Sequence, residues 1–495
     1  MTTTTETRLP TRPDGVTDAK LFIDGEWVEA VSGERTPVID PSRESQISSI
    51  ALAGPEDVAR AVAAARREVD EGAWSRVSGA DRGRMLWRLA DLIEEHREEL
   101  AALESVDIGR PIGEPFFGEI PLASEVFRYF AGYADKIHGT TFDLPDLGGK
   151  SRRTYTLRQP LGVVGAITPW NAPTMITAWK LAPALAAGNT IVLKSAQEAS
   201  LSTVRLVQLI EEAGFPAGTV NLVTGRGSVA GEALVTAPGV DKISFTGSPE
   251  VGRGIAAKAS GALKKIVLEL GGKSPQIIRA DADLDEIIST VGTGVFANQG
   301  QTCASGSRIF VQRDVLDALV DRLAAHADSI RVGDPFDEAT QMGTLINERQ
   351  LKSVSALVEQ GREYGVDVVT GGERLGDRGY FFKPTVLVSD NDSPVARQEI
   401  FGPVGTVIPF DTDEEALRLA NDTEYGLTSV LWTNDSSAIN RFTKGLKAGS
   451  VWVNAWGPPH PATPWLGVKT SGIGEELGTS GLLAETVEKV VNVVG

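Results

Sequence analysis

The stretch Gly162-Val-Val-Gly-Ala-Ile-Thr-Pro-Trp-Asn-Ala-Pro173 opens the part of the chain that decides the fold. Its apolar run, residues 162–167, ends in a turn rich in proline, which is typical of a buried parallel strand. Helical stretches separate it from four further short strands. The five predicted strands are Gly162–Ile167, Thr190–Leu193, Thr219–Val223, Lys242–Phe245 and Lys265–Leu268. This alternation predicts a parallel, doubly wound α/β sheet with a nucleotide crevice at the carboxyl ends of its strands.

A glycine-rich turn, Gly225-Arg-Gly-Ser-Val-Ala-Gly231, lies within this series. It follows a predicted strand and opens a predicted helix, so its backbone N–H groups are suited to binding phosphate. Its spacing is G-x-G-x-x-x-G, whereas the dinucleotide fingerprint is G-x-G-x-x-G. The turn taken alone is therefore weak support for a nucleotide site.

A second series of strands and helices, residues 274–467, indicates a second α/β domain. It contains Cys303, the only cysteine among 495 residues. This cysteine lies in Asn298-Gln-Gly-Gln-Thr-Cys-Ala-Ser-Gly-Ser-Arg308, where Gly300 and Gly306 allow backbone or ligand to approach closely. Most free cysteines are nevertheless small buried hydrophobes without chemistry. At this point both a catalytic and a structural cysteine remain open.

The composition argues against several classes of protein. The chain has 66 acidic and 48 basic residues, and its net charge of −18 argues against nucleic acid or an anionic membrane as partner. One cysteine excludes an intramolecular disulfide framework, and four scattered histidines show no metal-ligand spacing, so no metal is expected. We find neither a signal peptide nor an apolar run of the ~18 residues that a membrane span needs. We therefore expect a cytoplasmic protein in a reducing compartment.

The remaining segments are predicted as a flexible tail, a pair of strands, three helices and two outer strands. In chain order they are 1–20, 21–31, Pro55–Val69, Ala80–Val106, Glu119–Ile137, Ser151–Arg158 and Glu485–Val494. Ser151–Arg158 alternates in polarity and ends at Gln159-Pro160, which suits an edge strand because proline cannot donate to a sheet ladder. Such an arm could contact another subunit, and a plain surface hairpin is the alternative.

Five motifs occur together along the two series. They are Thr168-Pro-Trp-Asn-Ala-Pro173, Phe245-Thr-Gly-Ser248, Glu269-Leu-Gly-Gly-Lys-Ser-Pro275, Gln301-Thr-Cys303 and Glu399-Ile-Phe-Gly-Pro-Val404. They resemble the signature segments of the NAD(P)-dependent aldehyde dehydrogenase superfamily, and the similarity runs from about Leu21 to Val494.

The resemblance implies an α/β fold with three parts besides the tail. A Rossmann-like cofactor domain would comprise residues 21–138 and 160–270, and an α/β catalytic domain residues 271–470. A small β oligomerisation arm would comprise residues 139–159 and 471–495, so a homodimer or homotetramer is expected.

The resemblance also assigns chemistry to three residues. Cys303 would be the nucleophile that attacks an aldehyde carbon and forms a thiohemiacetal. Asn171 would stabilise the oxyanion, and Glu269 would be the general base for the thiol and then for the water that hydrolyses the thioester. The expected product is therefore a free carboxylic acid. Without the resemblance, Asn171 would be a turn residue and Glu269 a solvated charge at a strand end.

Further positions match cofactor contacts of the family. They are Ile167, Thr168, Pro169, Trp170, Lys194, Gln197, Gly227, Gly231, Phe245, Thr246, Gly247, Ser248, Leu270, Gly271, Glu399 and Phe401. Lys194 is expected at the adenosine ribose and Glu399 at the nicotinamide ribose. Gln197 stands where many members carry the glutamate that selects NAD against NADP, so NAD is favoured and NADP stays open. Gly474-Glu-Glu476 replaces a usual Gly-Arg-Glu, a change that we expect to touch no catalytic atom.

Small residues at two positions of the expected substrate tunnel indicate the size of the substrate. Ala172 and Ala297 stand where many relatives carry an aromatic ring, which predicts a wider substrate tunnel, and Thr302 is a further predicted tunnel position. We expect a bulky apolar aldehyde (aromatic, terpenoid or medium-chain aliphatic), with Trp456 and Trp465 as tunnel walls. The alternatives are a semialdehyde dehydrogenase with a second polar group on its substrate, and a non-catalytic protein on this fold.

Overall fold

The computed structural model describes residues 8–495. Its N-terminal part consists of β1 (Leu21–Ile23), β2 (Glu26–Val28), β3 (Arg35–Asp40), β4 (Ser45–Ala51), α1 (Pro55–Asp70), α2 (Gly79–Glu95), α3 (Arg97–Ile108) and α4 (Ile120–Ala131). The helix predicted over Ala80–Val106 is divided into α2 and α3, because the backbone leaves helical geometry at His96 (φ −105°, ψ 21°). Strands β3 and β4 pair with each other in a separate two-stranded sheet.

The structure describes only residues 8–20 of the tail predicted over residues 1–20. Within residues 8–20, Arg12 pairs with the buried Asp40 and Ala19 is itself buried. The flexibility of the tail as a whole stays a prediction. Residues 1–7 lie outside the described part of the chain.

A parallel sheet follows two strands of the arm. This segment contains β5 (Thr141–Phe142), β6 (Arg152–Pro160), β7 (Val163–Ile167), α5 (Pro173–Ala187), β8 (Thr190–Lys194), α6 (Leu201–Glu212), β9 (Val220–Val223), α7 (Glu232–Thr236), β10 (Lys242–Thr246), α8 (Pro249–Gly261) and β11 (Lys265–Glu269). The strand order β11-β10-β7-β8-β9 is the doubly wound order 5-4-1-2-3, with the β1–β2 hairpin added beside β9. The predicted parallel sheet is confirmed, and its topological switch point lies between β7 and β10.

The second domain is built on a seven-stranded sheet. It contains β12 (Pro275–Ile278), α9 (Leu284–Phe296), β13 (Arg308–Gln312), α10 (Leu316–Ser329), α11 (Glu348–Tyr364), β14 (Asp367–Thr370), β15 (Thr385–Val388), α12 (Pro394–Arg397), β16 (Val404–Phe410), α13 (Asp413–Asn421), β17 (Thr428–Trp432), α14 (Ser436–Gly445) and β18 (Ser450–Val453). All its neighbouring strands pair in parallel except β14 with β15. Because successive residues of a strand point to opposite faces, Ile278 packs with α9 and α10, whereas Ile277 packs with α13 and α14.

The C-terminal segment returns to the first domain and builds the arm. It contains β19 (Gly472–Ile473), α15 (Gly478–Leu483) and β20 (Thr486–Val494). Strand β19 pairs with β11, and β20 pairs antiparallel with β6 from Thr486 opposite Pro160 to Val494 opposite Arg152. With β5 on the other side of β6, the arm is a three-stranded sheet that exposes apolar side chains of β20. Over residues 8–495, we find no helix with the length and apolar character that crossing a membrane requires.

Candidate active site

The carboxyl edge of the first sheet collects residues that are far apart in the chain. Strands β7, β8, β10 and β11 end there at Ile167, Lys194, Thr246 and Glu269. In the strand register, Ile167 lies opposite both Lys194 and Phe245, and Thr246 lies opposite Glu269. Since parallel strands share a carboxyl edge, the predicted cofactor positions and the predicted base come together there.

Cys303 lies beyond α9 in a loop with unusual backbone geometry. Asn298, Gln299 and Gly300 have positive φ angles of 49°, 56° and 68°. The left-handed conformation is unfavourable for residues with side chains, so the surrounding structure must hold this loop in place. At Gly300 a Cβ atom would lie 2.0 Å from the carbonyl oxygen of Gly402. The turn leading to Cys303 is therefore tightly packed against the Gly402 segment of the same domain.

Hydrogen bonds join the cysteine loop to Asn171. The side-chain amide of Asn298 donates to the carbonyl oxygen of Asn171 at 2.7 Å and to that of Gln301 at 3.2 Å. The amide of Asn171 donates to the Gln301 carbonyl at 2.9 Å. A primary amide has two N–H groups, so this bond leaves one for a ligand. The arrangement fixes an amide donor beside Cys303.

Glu269 is a buried carboxyl without a hydrogen-bond partner. Neither of its side-chain oxygens has one among residues 8–495. Burial raises the pKa of Glu269 well above its ordinary value, the Glu476 carboxylate adds to the rise, and the Lys180 ammonium opposes it. The Trp465 indole N–H lies close enough to oppose part of the rise. A buried carboxyl with a raised pKa is suited to proton transfer.

Sequence analysis missed the polar groups behind Glu269. Lys180 Nζ donates to Glu476 Oε1 at 2.6 Å and to Ser244 Oγ at 3.0 Å, and Ser244 Oγ donates to Glu476 Oε1 at 2.9 Å. The charge of Glu476 acts on the predicted base. The residue that differs from the usual Gly-Arg-Glu is its neighbour Glu475, so the expectation for that change stays a prediction. The available signal was Lys180, the only charged residue in the otherwise apolar helix α5.

The thiol of Cys303 is not acidic by itself. Burial raises its pKa to about 12, and the carboxylates of Glu399 and Glu269 contribute to the rise. The side chain is only half-buried, so solvent in the cavity beside it offsets part of that desolvation. The reactive form of a cysteine is the thiolate, so this thiol needs a base.

Glu399 lies against the glycines that follow Glu269. Its Oε1 accepts the Gly272 N–H at 2.9 Å, and a Cβ atom at Gly271 would lie 2.2 Å from its Oε2. Burial raises the pKa of Glu399 to about 7, and the Gly272 N–H opposes the rise. Two residues later Phe401 has a φ of 54°, and its ring packs edge-on against Trp170 at 5.2 Å between centroids.

A cavity of about 740 Å³ opens beside Cys303, Asn171 and Glu269. Its larger apolar lining residues are Phe117, Leu122, Met175, Ile176, Trp179, Trp456 and Trp465. Ala172, Ala297 and Thr302 line the same cavity, as the sequence predicts. The Trp456 indole N–H donates to the Ala304 carbonyl at 3.3 Å, which holds this ring next to the cysteine loop.

Comparison with known proteins identifies the family. The sequence model described as the aldehyde dehydrogenase family matches residues 27–491. The chain belongs to the aldehyde dehydrogenase family. It is 44% identical over 464 residues to the putative aldehyde dehydrogenase DhaS of Bacillus subtilis, covering 94% of this chain and 93% of that protein. It is 43% identical over 477 residues to the human mitochondrial aldehyde dehydrogenase, covering 96% of this chain and 92% of that protein.

Solved structures of aldehyde dehydrogenases agree with the fold. An NAD+ complex of the enzyme from Bacillus cereus has a TM-score of 0.94 at 42% identity and covers 96% of both chains. Betaine aldehyde dehydrogenase from Staphylococcus aureus, also with NAD+, has a TM-score of 0.93 at 38% identity and covers 96% of this chain and 94% of that one. The predicted family, fold class, enzyme class and NAD cofactor are confirmed. The cytoplasmic location stays a prediction, since some relatives are named mitochondrial.

The residues of this aldehyde dehydrogenase fit NAD at the sheet edge. Lys194 is buried at the end of β8, where burial lowers its pKa to about 8, and Gln197 is half-buried three residues later. Ser248 caps the 13-residue helix α8 by accepting the Val251 N–H at 3.4 Å. The N-terminus of such a helix suits a pyrophosphate.

The other expected cofactor contacts flank these strand ends. Thr168, Pro169 and Trp170 follow β7, Gly247 follows β10, and Leu270 follows β11. Gly227 and Gly231 bound a π-helical turn after β9, the strand beside β8. Among residues 8–495 we find no group of three or more His, Cys, Asp or Glu residues that could hold a metal ion.

Proposed function

We propose that this enzyme oxidises a bulky, apolar aldehyde to its carboxylic acid through covalent chemistry on Cys303. The observation that carries the proposal is the convergence of three groups on one apolar cavity: the Cys303 thiol, the unpartnered carboxyl of Glu269 and the amide of Asn171. Nucleophile, base and oxyanion donor are the groups that acyl transfer through a thiol requires.

The first step is addition of sulfur to the aldehyde. Glu269 accepts the thiol proton, the sulfur of Cys303 bonds to the carbonyl carbon, and the C=O π pair moves to oxygen. The free N–H of Asn171 and the backbone N–H of Cys303 donate to that oxyanion. Loss of one such donor typically raises the barrier by about 2.7–4 kcal/mol.

Hydrolysis completes the reaction at the same residues. NAD, when bound, supplies the acceptor for the hydride that leaves the carbon attached to sulfur, and a thioester on Cys303 remains. Glu269 first releases the proton of the thiol to solvent and then takes a proton from water while the water oxygen attacks the thioester carbon. Asn171 again donates to the oxyanion, and the C–S bond breaks with its electron pair on sulfur. The proton on Glu269 returns to that sulfur, and the acid leaves.

Lys194, Gln197, Ser248 and Glu399 are the residues that would hold NAD. Their places at strand ends and at the N-terminus of α8 support this assignment. Gln197 can donate to or accept from a ribose hydroxyl, but unlike a glutamate it does not repel a 2′-phosphate. We therefore propose a preference for NAD with measurable turnover of NADP.

The cavity favours an apolar substrate over a semialdehyde with a second acidic group. A volume of about 740 Å³ is large enough for a bulky ligand, and tryptophans form part of the wall. Within the described part of the chain, Arg110 is the one basic side chain that lines the cavity. It is already paired with Glu114 at 2.5 Å and with Glu119, so it does not offer a free clamp for a carboxylate.

A panel of aldehydes tests the proposed function. Initial rates of NADH formation are measured with acetaldehyde, benzaldehyde, citronellal, octanal and succinic semialdehyde, each with NAD and with NADP. We expect kcat/KM to be highest for one of the three bulky apolar aldehydes. A higher kcat/KM for acetaldehyde than for all three would refute the substrate assignment. Absence of NADH formation with the whole panel would favour a non-catalytic protein.

We also propose that the arm, 139–159 and 471–495, joins copies of this chain in a homodimer or homotetramer. The exposed Val487, Val490 and Val493 on β20 support this role, because exposed apolar side chains on an edge strand favour pairing. Light scattering of the purified enzyme tests it directly. A monomeric mass at micromolar concentration would contradict the proposal.

A further inference from the structure

We infer that Glu104 is a positioning residue for Asn171 and acts on it through the first turn of α5. The inference rests on the proposed function, because it takes Asn171 as the oxyanion donor. Glu104 belongs to α3, is fully buried and does not line the substrate cavity. Its effect would therefore be transmitted through the backbone.

Helix α5 begins directly after Asn171 and lacks a cap of its own. The residue before its first turn is Ala172, which has no side-chain oxygen to accept a backbone N–H. The first N–H groups of a helix have no partner within the helix, so a buried start needs an acceptor from elsewhere. Glu104 Oε2 supplies one by accepting the Thr174 N–H at 3.3 Å.

A group of charged side chains lies beside Glu104. Arg110 forms an ion pair with Glu119, the residue whose carboxyl faces Glu104, and a second one with Glu114 at 2.5 Å. Burial raises the pKa of Glu104 well above its ordinary value, and the nearby carboxyl of Glu119 adds to the rise. A neutral carboxylic acid at this position still accepts the Thr174 N–H, so an amide of the same shape can replace it.

Asp107, one turn later on α3, offers a matched control. Its Oδ2 accepts the Leu201 N–H at 2.8 Å at the start of α6, and it is as buried as Glu104. The two carboxyls thus make the same type of contact from the same helix to two different helices. Loss of either capping contact should lower the stability of the protein. Only the Glu104 contact lies beside the oxyanion donor, so only its loss should also lower the rates of reaction at Cys303.

The experiment is a double-mutant cycle between Glu104 and Asn171. The four proteins are the parent, Glu104→Leu, Asn171→Ala and the double variant, with Glu104→Gln and Asp107→Leu alongside. The rates are kcat for benzaldehyde oxidation with NAD and the hydrolysis of p-nitrophenyl acetate without NAD, which uses the same thiol and oxyanion donor. Thermal midpoints and KM for NAD are recorded for each protein.

We expect Glu104→Leu to lower both rates about 10-fold or more, because a small displacement of a catalytic donor is costly. Glu104→Gln should stay within about three-fold of the parent, and Glu104→Leu should add less than about two-fold in the Asn171→Ala protein. Asp107→Leu, which removes the acceptor for the Leu201 N–H, should leave ester hydrolysis within about three-fold of the parent. If Glu104→Leu does not fold, Glu104→Ser, whose hydroxyl is too short to reach Thr174, replaces it in the cycle.

Three results would overturn the inference. They are equal losses from Glu104→Leu in both backgrounds, equal damage from Glu104→Gln and Glu104→Leu, and a loss of ester hydrolysis in Asp107→Leu equal to that in Glu104→Leu. If Asn171→Ala leaves both rates unchanged, the proposed oxyanion donor fails and the inference fails with it. If Asn171→Ala lowers both rates while Glu104→Leu does not, the inference alone fails.

Discussion

Substituting Gly271 by alanine should weaken NAD binding without harming the thiol chemistry. A Cβ atom at Gly271 would lie 2.2 Å from Oε2 and 2.9 Å from Cδ of Glu399, whereas ordinary contact begins at 3.4 Å. The Glu399 carboxylate must therefore move by roughly 1 Å, since close packing leaves little room for overlap. That movement also disturbs the 2.9 Å hydrogen bond from the Gly272 N–H.

The size of the effect follows from the proposed contact between Glu399 and the nicotinamide ribose. A hydrogen bond to a charged group contributes about 1.5–3 kcal/mol. Loss of one such bond corresponds to an increase of about 10- to 100-fold in KM for NAD, since about 1.4 kcal/mol is a factor of ten. Hydrolysis of p-nitrophenyl acetate without NAD should change far less.

The assay is an initial-rate series in NAD at saturating benzaldehyde, with Gly254→Ala as the control. Gly254 is exposed on α8, and a Cβ atom there would meet nothing within 4 Å. The control should keep the parent KM and gain slightly in stability, because alanine favours a helix over glycine. A KM for NAD within about two-fold of the parent in Gly271→Ala would refute the reasoning, since that is under 0.5 kcal/mol.

Three further predictions concern the base, the tunnel and the cysteine loop. Glu476→Gln removes a charge that adds to the rise in the pKa of Glu269 caused by burial. Because the base must be deprotonated, the acid limb of the pH profile of kcat/KM should move to lower pH. A move to higher pH would contradict this. Ala172→Phe narrows the cavity and should lower kcat/KM for octanal and citronellal at least about 10-fold while sparing acetaldehyde; equal losses for all three would refute the tunnel assignment. In Gly300→Ala the new Cβ atom would lie 2.0 Å from the Gly402 carbonyl oxygen, at a residue whose φ is 68°. The substitution should lower the free energy of unfolding by about 1–3 kcal/mol. An unchanged midpoint in thermal unfolding would show that the loop relaxes freely.

Much of the fold could be predicted because local patterns and topology agree. Runs rich in β-branched and aromatic residues, such as Val163–Ile167 and Lys242–Thr246, predict strands, and helices between them require parallel crossovers. Parallel strands end at one edge, so Lys194 and Glu269 could be predicted to lie at the same edge of the sheet although they are 75 positions apart in the chain. The short motifs around Cys303 and Asn171 lie on loops, where local sequence is most informative about function.

The features that the sequence did not predict depend on contacts between segments that are far apart in the chain. The Lys180–Glu476 ion pair joins residues 296 positions apart, and no local pattern indicates which partner neutralises a lysine in an apolar helix. The same holds for Arg12 and Asp40, which attach a segment predicted to be flexible. Glu104 lies within a helix and caps a different one, so its role appears only when α3 and α5 are seen together.

Mass spectrometry of a Glu269→Gln variant tests the central claim most directly. If Glu269 is the base for hydrolysis and Cys303 carries the acyl group, this variant should accumulate a thioester during prolonged incubation with NAD and octanal. Acylation is slow in the variant, because only the small fraction of thiol that ionises without Glu269 can react. Glutamine cannot take a proton from water, so the C–S bond persists after hydride loss. We predict that the intact mass rises by one octanoyl group and that peptide mapping places it on Cys303. An acyl group on any other residue, or reduced NAD formed in a stoichiometric burst without acylated protein, would contradict the account.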